Sequence, residues 1–241
     1  MPSTDPYSGT PIEGAVALVT GGHRGFGRAL VDERLTRGAA KVYATSRSSQ
    51  PQREPRIVPL VLDVADASVA AAAQAAPDVS IVVNNAGILL ATLVLGAPLS
   101  EIHDELETNL FGIIRVARAF APALAEYPAS SMVNMLSVLS WLALSGGYEI
   151  SKSAGWSAAN SLRLALREQG TIVTALHVGY MDTEMGARFD APKADPRDIA
   201  RLTADAIIAG DYEILADDTT RSVKSRLSGD LTAPYPWLAA A

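Results

Sequence analysis

The sequence predicts a single α/β domain in which a doubly wound parallel sheet carries helices on both faces. Three observations predict it. Apolar runs of strand length alternate along the chain with stretches of helical period, as βαβ units require. The first run passes straight into a glycine-rich turn that opens a helix. No linker-like stretch interrupts the alternation, so residues 14–241 read as one domain behind a flexible tail at 1–13.

The elements follow in order. "AVALVT" (15–20) is apolar throughout, as for a parallel strand covered on both faces, and "GRALVDERLTRG" (27–38) is a helix stopped at Gly38. "KVYATS" (41–46) is the second strand and "IVPLVLDV" (57–64) the third. "DASVAAAAQAA" (66–76) is a helix with Asp66 at its start and Pro77 beyond its end. "VSIVVNNAG" (79–87) is a fourth strand running into a turn. Helical period then persists over 100–127, with Ser100 as the expected N-cap. His103 stands where a capping box would place Glu, so that signal is partial. "SSMVNMLS" (130–137) is the fifth strand, 151–170 a helix ending at Gly170, and "TIVTALHV" (171–178) the sixth strand. Asp195 as N-cap and Pro196 at the first helical position open a helix that stops at Gly210, and "YEIL" (212–215) is a short last strand. In such sheets ligands bind beyond the carboxyl ends of the strands.

Composition narrows the chemistry. With no cysteine there is no disulfide framework and no thiolate nucleophile, and the three histidines, His23, His103 and His177, lack a metal-ligand spacing. No metal site is expected. The formal charge of −6 argues against a general affinity for nucleic acid or anionic membrane. The opening residues lack the positive and apolar regions of a signal peptide, and no apolar run approaches the ~18 residues of a membrane span. A soluble, cytoplasmic protein acting on a small molecule is expected.

"TGGHRGFG" (20–27) joins the first strand to the first helix. Glycines there let backbone amides and the helix dipole approach a pyrophosphate. The spacing is T-G-x-x-x-G-x-G. Together with "LDV" (62–64), "NNAG" (84–87), "TNLFG" (108–112), "NMLSV" (134–138), Tyr148-x-x-x-Lys152 and "HVGYMDTEM" (177–185), it resembles the short-chain dehydrogenase/reductase family, in its branch of about 250 residues. The resemblance spans nearly the whole chain and implies a Rossmann-type fold. It implies cofactor contacts from Gly21, His23, Arg24, Gly25, Phe26 and Gly27, from Asp63 and Val64 near the adenine, and from Asn85, Ala86 and Gly87. It further implies contacts from Gly179, Met181 and Thr183, the last beside the nicotinamide carboxamide, and from Tyr148 and Lys152. Val178 departs from the family's usual proline at that place.

The second strand ends in "SRS" with no carboxylate for a ribose 2′-OH. Ser46 offers a hydroxyl, and Arg47 a planar cation suited to a phosphate. Arg24 can approach the same group from the glycine turn. The pair resembles the basic pair of NADP-preferring members, so NADP(H) is the expected cofactor.

Reduction of a ketone needs a hydride at carbon and a proton at oxygen, and NADPH would bring the hydride. A phenol must be lowered by roughly 2–3 units to donate near neutrality. The i, i+4 spacing puts Lys152 on the helix face of Tyr148, where a cation favours phenolate. Ser137, at the tip of the fifth strand, can bond the substrate oxygen as charge develops. The resemblance adds Lys152 on the nicotinamide ribose and Asn109 on a relay water. The Ser137–Tyr148 interval is 11 residues, shorter than the family's usual 13 or so, which leaves Ser140 as the other candidate partner. Leu139, Trp141, Leu142, Tyr180, Met185 and Phe189 would line an apolar substrate pocket under a small loop near 183–195.

The expected activity is NADPH-dependent reduction of apolar ketones or aldehydes, with alcohol oxidation as the reverse. The alternative is a non-catalytic NADP(H)-binding sensor or scaffold, which would have less need of the Tyr, Lys, Ser and Asn together. Relatives pair through two long helices, here 101–127 and 152–169, so a homotetramer or homodimer is expected.

Overall fold

The structure, a computed structural model, describes residues 9–235 and 238. Seven strands form one parallel sheet: β1 (Val16–Val19), β2 (Lys41–Ser46), β3 (Ile57–Val61), β4 (Ile81–Asn84), β5 (Ser130–Met135), β6 (Thr171–His177) and β7 (Glu213–Leu215). Their order is β3-β2-β1-β4-β5-β6-β7, with every neighbour parallel. The order reverses between β1 and β4, which opens a crevice at their carboxyl ends.

Helices cover both faces, because strands such as "VALV" and "IVVN" are apolar on both sides and cannot face water. On one face α1 (Gly25–Thr36) and α6 (Pro196–Ala209) bury Leu30, Val31, Ile199 and Ile207 against Val19, Val83 and Val133. On the other, α2 (Ser68–Ala75), α4 (Gly112–Ala125) and α5 (Gly147–Ala165) close a core around Leu18, Val82, Met132 and Phe120. Burying a side chain such as Phe120 contributes roughly 1.5–3 kcal/mol. Among the described residues no helix is long and apolar enough to cross a membrane.

Several elements differ from expectation. Residues 1–8 of the expected tail lie outside the described residues, but Thr10 and Ile12 are buried. Thr10 donates its amide to Ile207, and its hydroxyl bonds Ser131, so packing reaches back before residue 14. The long helix is not continuous: α3 (Leu99–Leu106) passes into a π-turn (Glu107–Phe111) before α4. Pro98 occupies the N-cap place, with no side-chain cap from Ser100. The helix expected from residue 151 begins four residues earlier, at Gly147, because Glu149 Oε1 accepts the amides of Gly146 at 2.8 Å and Leu144 at 2.6 Å. Asp195 caps α6 as expected, with Gly210 left-handed at its end. A further helix, α7 (Asp218–Ser225), has Asp217 as its cap.

Candidate active site

The glycine turn and the β4 turn meet in the crevice. The Thr20 hydroxyl accepts the amides of Asn85 and Ala86, each at 2.9 Å, and the Asn85 side chain donates to Thr20 O at 2.8 Å. Gly25 has φ +54°, a conformation that disfavours a side chain. A Cβ on Gly27 would lie 2.1 Å from the Gly21 carbonyl oxygen, so the turn tolerates none there. A Cβ on Gly87 would stand 3.0 Å from Asn109 Oδ1 and 3.7 Å from Lys152 Nζ. Gly27 and Gly87 thus allow the glycine turn and the β4 turn to pack closely on their neighbours. Phe26, by contrast, is buried in the α1–α6 core.

The charged and polar residues expected around the adenosine divide. Arg47 is exposed and makes no hydrogen bond or ion pair among the described residues. Arg24 pairs with Glu184 on the loop beyond β6, both side chains 77% exposed, so the arginines do not converge on one empty pocket. The Ser46 hydroxyl donates to Ser48 O within its own loop. His23 Nε2 donates to Ala44 O at 2.8 Å, and Nδ1 accepts from Gln52 at 2.8 Å, so its ring braces the turn against β2. Asp63 Oδ1 accepts the Ala65 amide at 3.0 Å. Val64 is buried, with its carbonyl taken by Arg115 at 3.1 Å, which turns it inward rather than toward a ligand.

The expected catalytic side chains come together at the carboxyl end of β5. Ser137 caps a short 3₁₀ turn (Val138–Ser140), accepting the Leu139 amide at 3.1 Å. The Ser137 hydroxyl faces the Tyr148 phenol and favours its phenolate, and Tyr148 stands half-buried in the first turn of α5. Ser140 is spent otherwise: its hydroxyl accepts the Ser137 amide, and its carbonyl accepts from Ser153 at 2.9 Å. The geometry therefore favours Ser137 over Ser140 as the partner. Lys152 is buried and donates to Met135 O at 2.9 Å, with Nζ 5.5 Å from the Tyr148 ring centre. Asn109, in the π-turn, donates to Ile88 O and Ser151 Oγ and accepts from Ile88 N, each at 2.9 Å. Ser151 in turn donates to Tyr148 O at 2.6 Å, so Asn109 braces the start of α5.

The electrostatics depart from expectation. Burial raises the Tyr148 phenol, and the carboxylates of Glu105 and Glu149 raise it further, while the Ser137 bond works in the opposite direction. Lys152 spends its ammonium on the Met135 carbonyl. Burial pushes Lys152 itself down to about 8. Glu105 is fully buried, accepting from Leu90 N at 2.8 Å and Thr92 Oγ1 at 3.0 Å, so its charge is held beside the phenol by its own bonds.

The loop after β6 is pinned at its base, where Asp182 N and Ala194 N bond Ala194 O and Tyr180 O, each at 2.9 Å. Met181 is buried there, and the Gly179 amide donates to Asp217 at 2.6 Å. Thr183 accepts the Gly186 amide at 3.3 Å, its methyl facing Gly25. Arg188 donates to Leu89 O at 2.8 Å, tying the loop across to the β4 turn. Of the expected substrate residues, Leu139, Leu142 and Phe189 are half-buried, and Tyr180 and Met185 exposed, with Tyr180 and Phe189 rings 4.9 Å apart. Trp141 is a correction: it is 8% exposed, stacked on His177 at 3.8 Å and edge-on to Trp156 at 5.9 Å, so it packs inward. A groove of about 460 Å³ between α1 and the base of this loop is lined by Gly25, Ala29, Asp182 and Pro196, away from Tyr148.

Sequence reasoning missed Thr20, Glu105, Glu149, Ser151, His177 and Asp217. Glu149 and Asp217 had local signals, the Gly-x-x-Glu and Asp-x-x-Thr spacings of helix caps; Thr20, Glu105 and His177 act through partners distant in sequence.

The sequence profile described as short chain dehydrogenase matches residues 15–194. The 3-oxoacyl-(acyl-carrier-protein) reductase of Salmonella typhimurium is 30% identical over 187 residues, 72% of this chain and 76% of the relative. An uncharacterized oxidoreductase of Staphylococcus aureus is 25% identical over 231 residues, 89% of this chain and all of the relative. A short chain dehydrogenase from Burkholderia cenocepacia, crystallised in complex with NADP, superposes with a TM-score of 0.90 at 33% identity, covering 95% of this chain and 99% of that one.

Proposed function

The chain belongs to the short chain dehydrogenase family and is an oxidoreductase, and from that premise we propose that it reduces apolar ketones or aldehydes to alcohols with NADPH, reversibly. The observation that carries this reading is the convergence of Ser137, Tyr148 and buried Lys152 at the carboxyl end of β5, with Lys152 Nζ 5.5 Å from the Tyr148 ring centre and close to Gly87.

Gly21, Gly25, Gly27 and Gly87 fit the cofactor's backbone, and Arg47, without a partner among the described residues, fits a 2′-phosphate. The NADP complex of the Burkholderia cenocepacia relative supports that choice. When bound, the nicotinamide cofactor supplies the hydride and, as its ring turns cationic, a charge that favours phenolate. Tyr148 holds the proton for the carbonyl oxygen; its raised pKa keeps the donor form filled at neutral pH. Ser137 steadies that oxygen and the phenol together. Half-buried Leu139, Leu142 and Phe189 leave no charged anchor among them, which favours an apolar substrate.

The test follows NADPH consumption over a panel of diketones and aryl ketones. Turnover with NADPH above NADH is expected, with Tyr148→Phe binding NADPH normally and losing about 10²–10⁴-fold in rate. Cofactor binding without turnover across the panel would support a sensor instead. We also propose self-association through α4 and α5, where Phe111, just before α4, and Leu164 are exposed; light scattering showing a monomer would refute it.

A further inference from the structure

One imidazole touches both ends of the turn that carries Ser137. His177, the last residue of β6, is fully buried. Its Nδ1 lies 3.1 Å from the Ser137 carbonyl oxygen, which can only accept, so Nδ1 carries the proton. Its ring stacks on Trp141 at 3.8 Å and 22°, four residues beyond Ser137. Trp141 also packs against Trp156 and the Lys224 ammonium, 4.7 Å from its ring. We propose that His177 is a positioning residue for the reaction, gripping the turn 137–141 by one hydrogen bond and one stack and so setting the Ser137 hydroxyl against Tyr148. The proposal rests on the catalytic reading of Ser137 and Tyr148 given above.

Packing does not account for this side chain. Nε2 is buried without a hydrogen bond among the described residues, 3.8 Å from Glu213 Oε1. A phenylalanine would fill similar space and leave no orphan nitrogen, so what the imidazole adds is its Nδ1 proton. The groups facing the ring are Glu213 from β7, Lys224 from α7 and Lys152 from α5, and burial holds it down at about 4, neutral in any ordinary assay.

The groups facing Tyr148 are Glu105 from α3, and Glu149 and Lys152 from α5, together with the Ser137 hydroxyl. Only the last depends on the turn. The experiment is the pH profile for oxidation of an aryl alcohol by NADP⁺, where Tyr148 must act as phenolate, in wild type, His177→Phe, His177→Asn and Tyr148→Phe. His177→Phe keeps the stack and loses the donor. Its ascending limb should move upward by about half a unit or more, with kcat down about tenfold and the NADP⁺ KM within about twofold. His177→Asn, which can still donate, should restore part of the shift; if His177→Phe fails to fold, the same comparison is made with His177→Ala. In nitrogen-15 NMR of the wild type, His177 should show the Nδ1–H tautomer with a slowly exchanging proton. A limb at the wild-type position, whatever happens to Tm, or an Nε2–H tautomer, overturns the inference. Retained turnover in Tyr148→Phe overturns the underlying catalytic reading and the inference with it.

Discussion

Tyr148 sits in surroundings that weaken it as an acid, and its neighbours explain how residues here divide their work. Two held carboxylates and burial raise the phenol, and only Ser137 opposes them. Ser137→Ala should therefore cost about 10²-fold in kcat. Ser140→Ala, which removes only an acceptor for the Ser137 amide, should cost less than about tenfold; the reverse order in steady-state kinetics would exchange their roles. Lys152 gives a stability prediction. Its pKa is about 8 folded and 10.5 as the ordinary value, so the unfolded chain holds the proton more tightly between those pH values. The penalty is complete below about pH 8 and disappears as pH rises to 10.5. Lys152→Met should thus be more stable than wild type near neutrality, by roughly 3 kcal/mol at most, with the gap closing above pH 8 in urea titrations. At this scale residue identities were legible in the sequence. The direction in which Lys152 acts was not, because its ammonium bonds the Met135 carbonyl, 17 residues away in sequence.

Elements bring these residues into register, and the loop after β6 is the one that crosses the cleft. It is tied to the glycine turn by Arg24–Glu184 and to the β4 turn by Arg188. An exposed pair is weak, yet it occupies the arginine that would otherwise meet a 2′-phosphate. Glu184→Gln should raise NADPH-over-NADH preference by less than about tenfold. Arg47→Ala should lower NADPH efficiency about 10–100-fold and leave NADH nearly unchanged; equal losses with both cofactors would remove Arg47 from the phosphate site. Strand order of appearance, the α6 cap and the glycine turn were legible because each is signalled within a few residues. The break in the long helix at Glu107–Phe111 was not, since a single i→i+5 turn is too short to mark itself within a long helical stretch. The early start of α5 rests on Glu149 accepting the Gly146 amide, a faint signal in sequence because the cap residue has no side chain.

In the whole molecule, two cores on opposite faces of one sheet press the strand tips together, and His177 shows what that burial implies. Its pKa is about 4 folded against 6.5, so the unfolded chain takes up the proton first as pH falls. This contribution to stability is intact above about pH 6.5 and is lost progressively toward pH 4, by roughly 3 kcal/mol at most. His177→Phe should flatten that part of the acid unfolding curve; an unchanged slope would show that His177 binds its proton equally in the folded and unfolded chain. The sequence by itself determined the α/β class and pointed to the glycine-rich turn and to Ser137, Tyr148 and Lys152 as candidates, because periodicity, turn chemistry and motif spacing are local. Only the tertiary structure decided that Trp141 faces inward, that Arg24 is already paired, that Glu105 stands beside the phenol and that His177 holds Ser137. Those follow from contacts between residues 13 to 160 positions apart, which burial and the parallel sheet create and which no short stretch of chain encodes.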